Sequence, residues 1–306
     1  MTDDISFFPA PIVSAEWLAE HRQEVAIADV RWSVATGPKF DDFESRRIAD
    51  AVFVDLDVDL SDPSGDRGRH PLPTVASFRE TLRRLELIDR PVVCYDDASG
   101  ATAARLWWML QALGLPAAVL DGGIDSWNGP WDRGPAAHNT QPDSPAPDAE
   151  DEPTRNHPVG ESDPWPPDLV VPVDRVLPEI AAGTVAIDAR SSERFAGEPN
   201  PLDQPAGHIP GGRNRPWTDN VGADGRLHPP DELKRQFAAH GLDDNTLWMA
   251  SCGSGVTACH NLLAAAVAGL PPGRLYAGSW SEWIRDPARP IARSIDPTTP
   301  GSTGGT

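Results

Sequence analysis

The feature that most constrains this chain is that it is written twice. "VAIADVR" (25–31) answers "VAIDAR" (185–190), placing Asp29 opposite Asp188 and Arg31 opposite Arg190. "DDASGATAA" (96–104) answers "SCGSGVTAC" (251–259), and "GGIDSW" (122–127) answers "GSWSEW" (278–283). The offsets are 159, 155 and 156 residues, a near-constant spacing that chance similarity does not produce. Whatever one half folds into, the other must fold into as well. Between them lies "GPAAHNTQPDSPAPDAEDEPTRNHPVGESDPWPPD" (134–168), rich in Pro and acids and poor in apolar anchors, the composition of a linker. The expected organisation is a first domain over 1–133, a linker over 134–168, a second domain over 169–290 and a fraying tail over 291–306.

Each half reads as α/β. Short β-rich runs (25–30, 51–55, 91–95 and 117–120; then 185–189, 246–251 and 273–276) alternate with segments of helical periodicity. "TVASFRETLRRLEL" and "PDELKRQFAAHGL" carry apolar residues at helical spacing. "GATAARLWWMLQALGLP" and "GVTACHNLLAAAVAGLP" both stop at Gly-Leu-Pro, a helix end followed by a breaker. Alternating strands and helices imply a mostly parallel sheet flanked by helices in each half.

A net charge of −20 over 306 residues disfavours nucleic acid and anionic membranes as partners. It permits a small anionic substrate, because a local cradle of N–H groups outweighs a distant field screened over roughly 8–10 Å. Three cysteines make no disulfide framework, the N-terminus lacks the pattern of a signal peptide, and no apolar run is long enough to span a bilayer. A cytoplasmic protein in a reducing compartment is expected. Neither a resident cofactor nor a metal is expected, since there is no C-x-x-C pair and Cys252, Cys259 and His260 lack paired ligand spacing.

Chemistry concentrates at "SCGSGVTACH". Ligands of parallel sheets bind at the carboxyl ends of strands, where Cys252 stands. Gly253 and Gly255 allow the backbone to curl, so that the N–H groups of Gly253–Thr257 and the start of the following helix form a nest for an anion. A thiolate fits that nest and makes Cys252 the candidate nucleophile. Cys94 and Cys259, inside a strand and a helix, read as small packed side chains. A cysteine phosphatase would need an arginine six residues after the nucleophile; that position is Ala258, and the loop 252–258 carries no charge.

"CGSGVTA" resembles the active-site loop of rhodanese-type sulfurtransferases, in the form found in 3-mercaptopyruvate sulfurtransferases. "DAR" (188–190), "RF" with Gly197, "GHIPG" (207–211) and "YAGSWSEW" (276–283) lie where that family has its other motifs. "VFVDLDVDLSDP", "RHPLP", "ARLWWML" and "VLDGGIDSW" match the family's non-catalytic first domain. The resemblance implies two tandem rhodanese-like domains, the second catalytic. It implies a ping-pong cycle in which Cys252 takes sulfur from a small anionic donor, becomes a persulfide, and passes the sulfur to cyanide, a thiol or a protein. The uncharged loop and Ser254 favour 3-mercaptopyruvate over thiosulfate as donor.

The same resemblance implies a relay of Ser254, His70 and Asp57, with Asp55 or Asp59 as alternatives to Asp57. It makes Arg194 the partner of a substrate carboxylate, and Gly253, Gly255, Val256 and Thr257 the lining of the donor site. A second substrate arginine known in some relatives has no counterpart in "EPNPLDQPAGH"; Arg213 and Arg215 are the candidates to replace it. In the first half Asp97 stands opposite Cys252, so that loop should be silent. The halves pack on one another as a pseudo-dimer, and a monomer is expected. A sulfur-relay module with little turnover of free donors is the competing reading of the same cysteine.

Overall fold

The structure, a computed structural model, describes residues 7–62, 67–135 and 164–294. Most of the expected linker and of the expected tail lie outside the described residues. In the first half, β1 (Ile12–Val13), β2 (Ala26–Asp29), β3 (Ala51–Phe53), β4 (Val92–Tyr95) and β5 (Ala117–Leu120) form a five-stranded parallel sheet in the order β1-β5-β4-β2-β3. In the second, β6 (Val185–Asp188), β7 (Arg213–Asn214), β8 (Trp248–Ser251) and β9 (Arg274–Leu275) form a four-stranded parallel sheet in the order β7-β6-β8-β9. Val170 adds a parallel bridge to Leu275, in the place that β1 occupies beside β5. The two topologies are therefore the same, and the repeat read in the sequence is a repeat of the fold.

The central strands β2, β4, β6 and β8 are buried along their whole length, as parallel strands covered on both faces must be. Four helices fix the layers: α1 (Val75–Arg84), α2 (Ala103–Ala112), α3 (Pro230–Ala239) and α4 (Val256–Val267). Helix α1 begins where Thr74 caps Ser77 N, and α3 carries Pro230 at its first turn. Helices α2 and α4 end before Gly114 and Gly269, both at positive φ, as their Gly-Leu-Pro endings require.

Unlike α1 and α3, helices α2 and α4 are apolar around most of their circumference. They pack on each other, and one hydrophobic cluster runs through both halves, including Leu106, Met109, Cys259 and Leu263. Each fully buried Leu or Met there contributes roughly 1.5–3 kcal/mol. The α2–α4 contact thus holds the carboxyl ends of the two sheets in a fixed relation, which the site requires. Among the described residues, no helix is long and apolar enough to cross a membrane.

Candidate active site

Each half carries one structural ion pair at the end of its central strand. Arg31 forks onto Asp29, with Nε–Oδ1 3.0 Å and Nη2–Oδ2 2.7 Å; Arg190 forks onto Asp188 at 3.1 and 2.6 Å. These pairs are the physical content of the repeated Asp-x-Arg. They are bidentate and buried, and they belong to the fold rather than to the chemistry.

Cys252 follows β8 directly and is 2% exposed. Its Sγ accepts the N–H groups of Gly255 at 3.1 Å and Ser254 at 3.5 Å, so the loop does curl around the sulfur. Val256 and Thr257, the remaining residues expected in the cradle, open α4. Gly255 sits at φ +79°, and a Cβ there would lie 2.2 Å from Ala277 O, so glycine is required on two counts. A second loop braces the first from behind. Cys252 N donates to Ser279 Oγ at 2.9 Å, Trp280 N to Cys252 O at 3.0 Å, and Ser281 N to Gly253 O at 2.9 Å. Cys94 and Cys259 are fully buried; burial pushes the Cys94 thiol up and the Cys259 thiol up to about 12, which keeps both protonated.

The first half supplies the rest. His70 Nδ1 lies 2.8 Å from Ser254 Oγ, and His70 Nε2 lies 3.1 Å from Asp57 Oδ1. A carboxylate only accepts, so Nε2 carries the proton and Nδ1 accepts from the serine hydroxyl. Trp32 Nε1 donates to the other Asp57 oxygen at 3.0 Å. The hydrogen bond from His70 holds the Asp57 carboxyl below its ordinary range, against burial and with help from Trp32. Asp55 and Asp59 shape the turn instead: Asp55 Oδ1 accepts Asp57 N at 2.8 Å, and Asp59 accepts Asp55 N at 2.9 Å while pairing with Arg84. The structure thus brings together Ser254, His70 and Asp57 across 184 and 13 residues of sequence.

Arg194 also reaches this mouth, but in company that the sequence did not reveal. Its Nε and Nη2 fork onto Asp203 at 2.7 and 2.9 Å. Asp203 is fully buried and lies 3.4 Å from Arg190 Nη1 and 3.7 Å from Arg69 Nη1. Burial pushes the Asp203 carboxyl up, but Arg194, Arg190 and Arg69 outweigh it and hold the carboxyl below its ordinary range. The Nη2 atoms of Arg194 and Arg69 each lie 2.7 Å from where a Cβ of Gly253 would stand. Gly253 is therefore the residue that leaves room for two guanidiniums beside Cys252. They are partly exposed, and the cluster sets three cations against the carboxylates of Asp188 and Asp203.

The loop 252–258 carries no charge, as its sequence reads, and the cations beside it, Arg69 and Arg194, come from loops distant in sequence. One expectation is corrected: neither Arg213 nor Arg215 reaches this mouth. Arg213 donates to His240 O near the surface, while Arg215 is buried over the Phe237 ring and bonded to Asn261 and Gln236. The guanidinium beside Arg194 is that of Arg69, and its place next to His70 in "RHPLP" was the only signal of it.

The first half differs by one residue more than the repeat in the sequence suggested. Asp97, opposite Cys252, turns outward to Lys39 at 2.6 Å. Its neighbour Asp96 fills the cradle instead. The carboxylate accepts from the N–H groups of Ala98, Gly100 and Thr102 at 2.8 Å, from Ala103 N at 2.9 Å and from Thr102 Oγ1 at 2.9 Å. The nest recurs in both halves, filled by a carboxylate in the first and by the Cys252 sulfur in the second. Among the described residues, no group of His, Cys, Asp and Glu is arranged to hold a metal ion.

Both halves are similar to known proteins. A family profile described as rhodanese-like domain matches residues 14–130 and again 173–286. The chain belongs to the rhodanese-like family, carries its domain twice, and is a sulfurtransferase enzyme. It is 40% identical, over 92% of its length and 98% of the relative, to a probable 3-mercaptopyruvate sulfurtransferase of Pseudomonas aeruginosa. A putative thiosulfate sulfurtransferase, SseB, of Mycobacterium tuberculosis is 36% identical over 88% of this chain and 91% of that one. The crystal structure of SseA from Escherichia coli, a 3-mercaptopyruvate sulfurtransferase, superposes with a TM-score of 0.70 at 32% identity, covering 89% of this chain and 99% of that one.

Proposed function

We propose that the protein moves sulfur from 3-mercaptopyruvate to a thiol, cyanide or protein acceptor through a persulfide on Cys252. The observation that carries this reading is the hydrogen-bonded chain Ser254–His70–Asp57 beside the cysteine, assembled from both halves. The Cys252 thiolate attacks the donor sulfur. An S–S bond forms, the donor's C–S bond breaks, and the electron pair of that bond leaves as the enolate of pyruvate. The enolate carbon takes a proton, and the thiol proton of the donor is released, so the sum is thiolate plus mercaptopyruvate giving persulfide plus pyruvate. Ser254 is placed to pass a proton at this step, with His70 exchanging it and Asp57 holding the ring. The N–H groups of Ser254 and Gly255 then stabilise the persulfide anion as they do the thiolate. In the second half-reaction the acceptor attacks the outer sulfur and the Cys252 thiolate leaves, with no resident cofactor needed.

The paired guanidiniums of Arg69 and Arg194 suit the donor's carboxylate. The same pair favours a second reading, thiosulfate as donor, since a dianion gains more from two cations and its sulfite leaving group needs no proton. The ratio of kcat/KM for the two donors separates them. A preference for mercaptopyruvate that collapses in Ser254→Ala supports the first reading, and a preference for thiosulfate indifferent to Ser254 supports the second. Rapid formation of the persulfide without its discharge to small acceptors would mark a sulfur-relay module.

A further inference from the structure

Helices α2 and α4 meet at the junction of the halves, and the same position of each reaches into the opposite loop. Arg105 and His260 are counterparts in the repeat, 155 residues apart. His260 Nε2 donates to Ser99 O at 2.9 Å, in the silent loop, and Ser99 is the counterpart of Ser254. Arg105 does the reverse with a branched donor. Its Nη1 donates to Gly255 O at 3.2 Å, and its Nη2 donates to His70 O at 3.1 Å and Leu60 O at 3.3 Å. Gly255 belongs to the cysteine cradle, and His70 to the relay. Leu60 closes the turn whose first residue, Asp55, accepts its N–H and holds Asp57 N. One side chain therefore touches the backbone of all three parts that must be in register.

This grip is costly. Arg105 is fully buried, and among the described residues no carboxylate lies within ion-pair distance of it. Burial lowers its pKa. A buried guanidinium without a carboxylate carries a desolvation penalty that three backbone carbonyls only partly offset. The silent side manages the equivalent contact with a neutral imidazole. A charged planar fork is needed where several carbonyls must be held at fixed angles, and a lysine ammonium lacks that geometry.

We propose that Arg105 is a positioning residue for sulfur transfer, fixing His70 and the Asp57 turn against the Cys252 cradle so that His70 stays in reach of Ser254. The proposal rests on the relay reading above, and it assigns to the first half a role beyond scaffolding.

The test is a double-mutant cycle in the full chain, with 3-mercaptopyruvate as donor and rates normalised to titratable Cys252 so that misfolded protein does not count. Arg105→Lys and Arg105→Gln are each made alone and combined with His70→Asn. The expected result is a loss in kcat of roughly 10- to 100-fold for either single variant, the size of effect that a small misplacement causes, with KM changed less than about twofold. In combination with His70→Asn, either variant should lower kcat no further, because both act through one relay. His260→Gln, at the equivalent position, should keep kcat within about twofold. Unchanged kcat in both Arg105 variants, or losses that multiply with that of His70→Asn, would overturn the proposal. If His70→Asn alone costs nothing, the relay reading itself has failed, a result distinct from a failure at Arg105 alone.

Discussion

The two halves of this molecule build the same nest and put different things in it. In the first half the Asp96 carboxylate takes four N–H groups and a hydroxyl. In the second the corresponding residue is Ser251, and the sulfur of Cys252 takes N–H groups of Ser254 and Gly255. The nest is thus a property of the strand–turn–helix unit. Filled by its own carboxylate, it is a structural knot; holding a thiol instead, it becomes the reaction site of the proposed function. The halves also differ in what they lend each other. The first half gives the second His70, Asp57, Arg69 and Arg105, whereas the second reaches back with His260 against Ser99 O and with Leu227 N–H against Asp121 Oδ1.

The largest effect expected from this asymmetry concerns pH. Burial lowers the His260 pKa from 6.5 to about 4. Above pH 6.5 the ring is neutral whether folded or unfolded and costs nothing. As pH falls towards 4, the unfolded chain takes up a proton that the folded one refuses, so stability drops by up to ~3 kcal/mol. Denaturant titrations between pH 7 and 4 should show this loss in the wild type and a flatter profile in His260→Gln. Equal slopes would remove the contrast with Arg105. Next in size is the relay. Ser254→Ala or His70→Asn should lower kcat with mercaptopyruvate about 100-fold, while turnover of thiosulfate falls less than about threefold. Equal losses with both donors would mean that the chain serves positioning alone.

Asp96→Asn should destabilise the protein by about 2 kcal/mol in chemical unfolding, because an amide offers one acceptor where the nest presents donors on both sides. An unchanged midpoint would show that the first nest does not depend on its carboxylate. The smallest effect is expected at the mouth: Arg69→Met should raise KM for mercaptopyruvate roughly tenfold at nearly constant kcat, the signature of lost ground-state binding. A changed kcat with constant KM would place Arg69 elsewhere in the cycle.

Much of this comparison was legible in the sequence. Regular spacing showed the repeat, hydrophobic runs showed the main strands, and the glycines around Cys252 showed the nest. Resemblance to the rhodanese-type family pointed to Ser254, His70, Asp57 and Arg194, which the structure brings to one place. What escaped had a common cause. Arg69 and Arg105 meet partners far away in sequence, as when Arg69 donates to Leu202 O across 133 residues, and Asp203 meets Arg194 and Arg190 only through the folding of an irregular loop. No local period marks such contacts. Asp96 escaped for a subtler reason: aligning Asp97 with Cys252 explained the missing thiol and left no cause to ask which side chain filled the nest. Strand β1 escaped because two residues are too few to show a period.

The central claim is that sulfur is carried by one loop of the two, on Cys252. Intact-protein and peptide mass measurement after exposure to mercaptopyruvate without acceptor tests it most directly. The account predicts the gain of one sulfur atom per chain, located on Cys252, discharged by cyanide, and absent in Cys252→Ser together with at least ~10³-fold of the turnover. Sulfur found on Cys94 or Cys259, or turnover that survives Cys252→Ser, would contradict it.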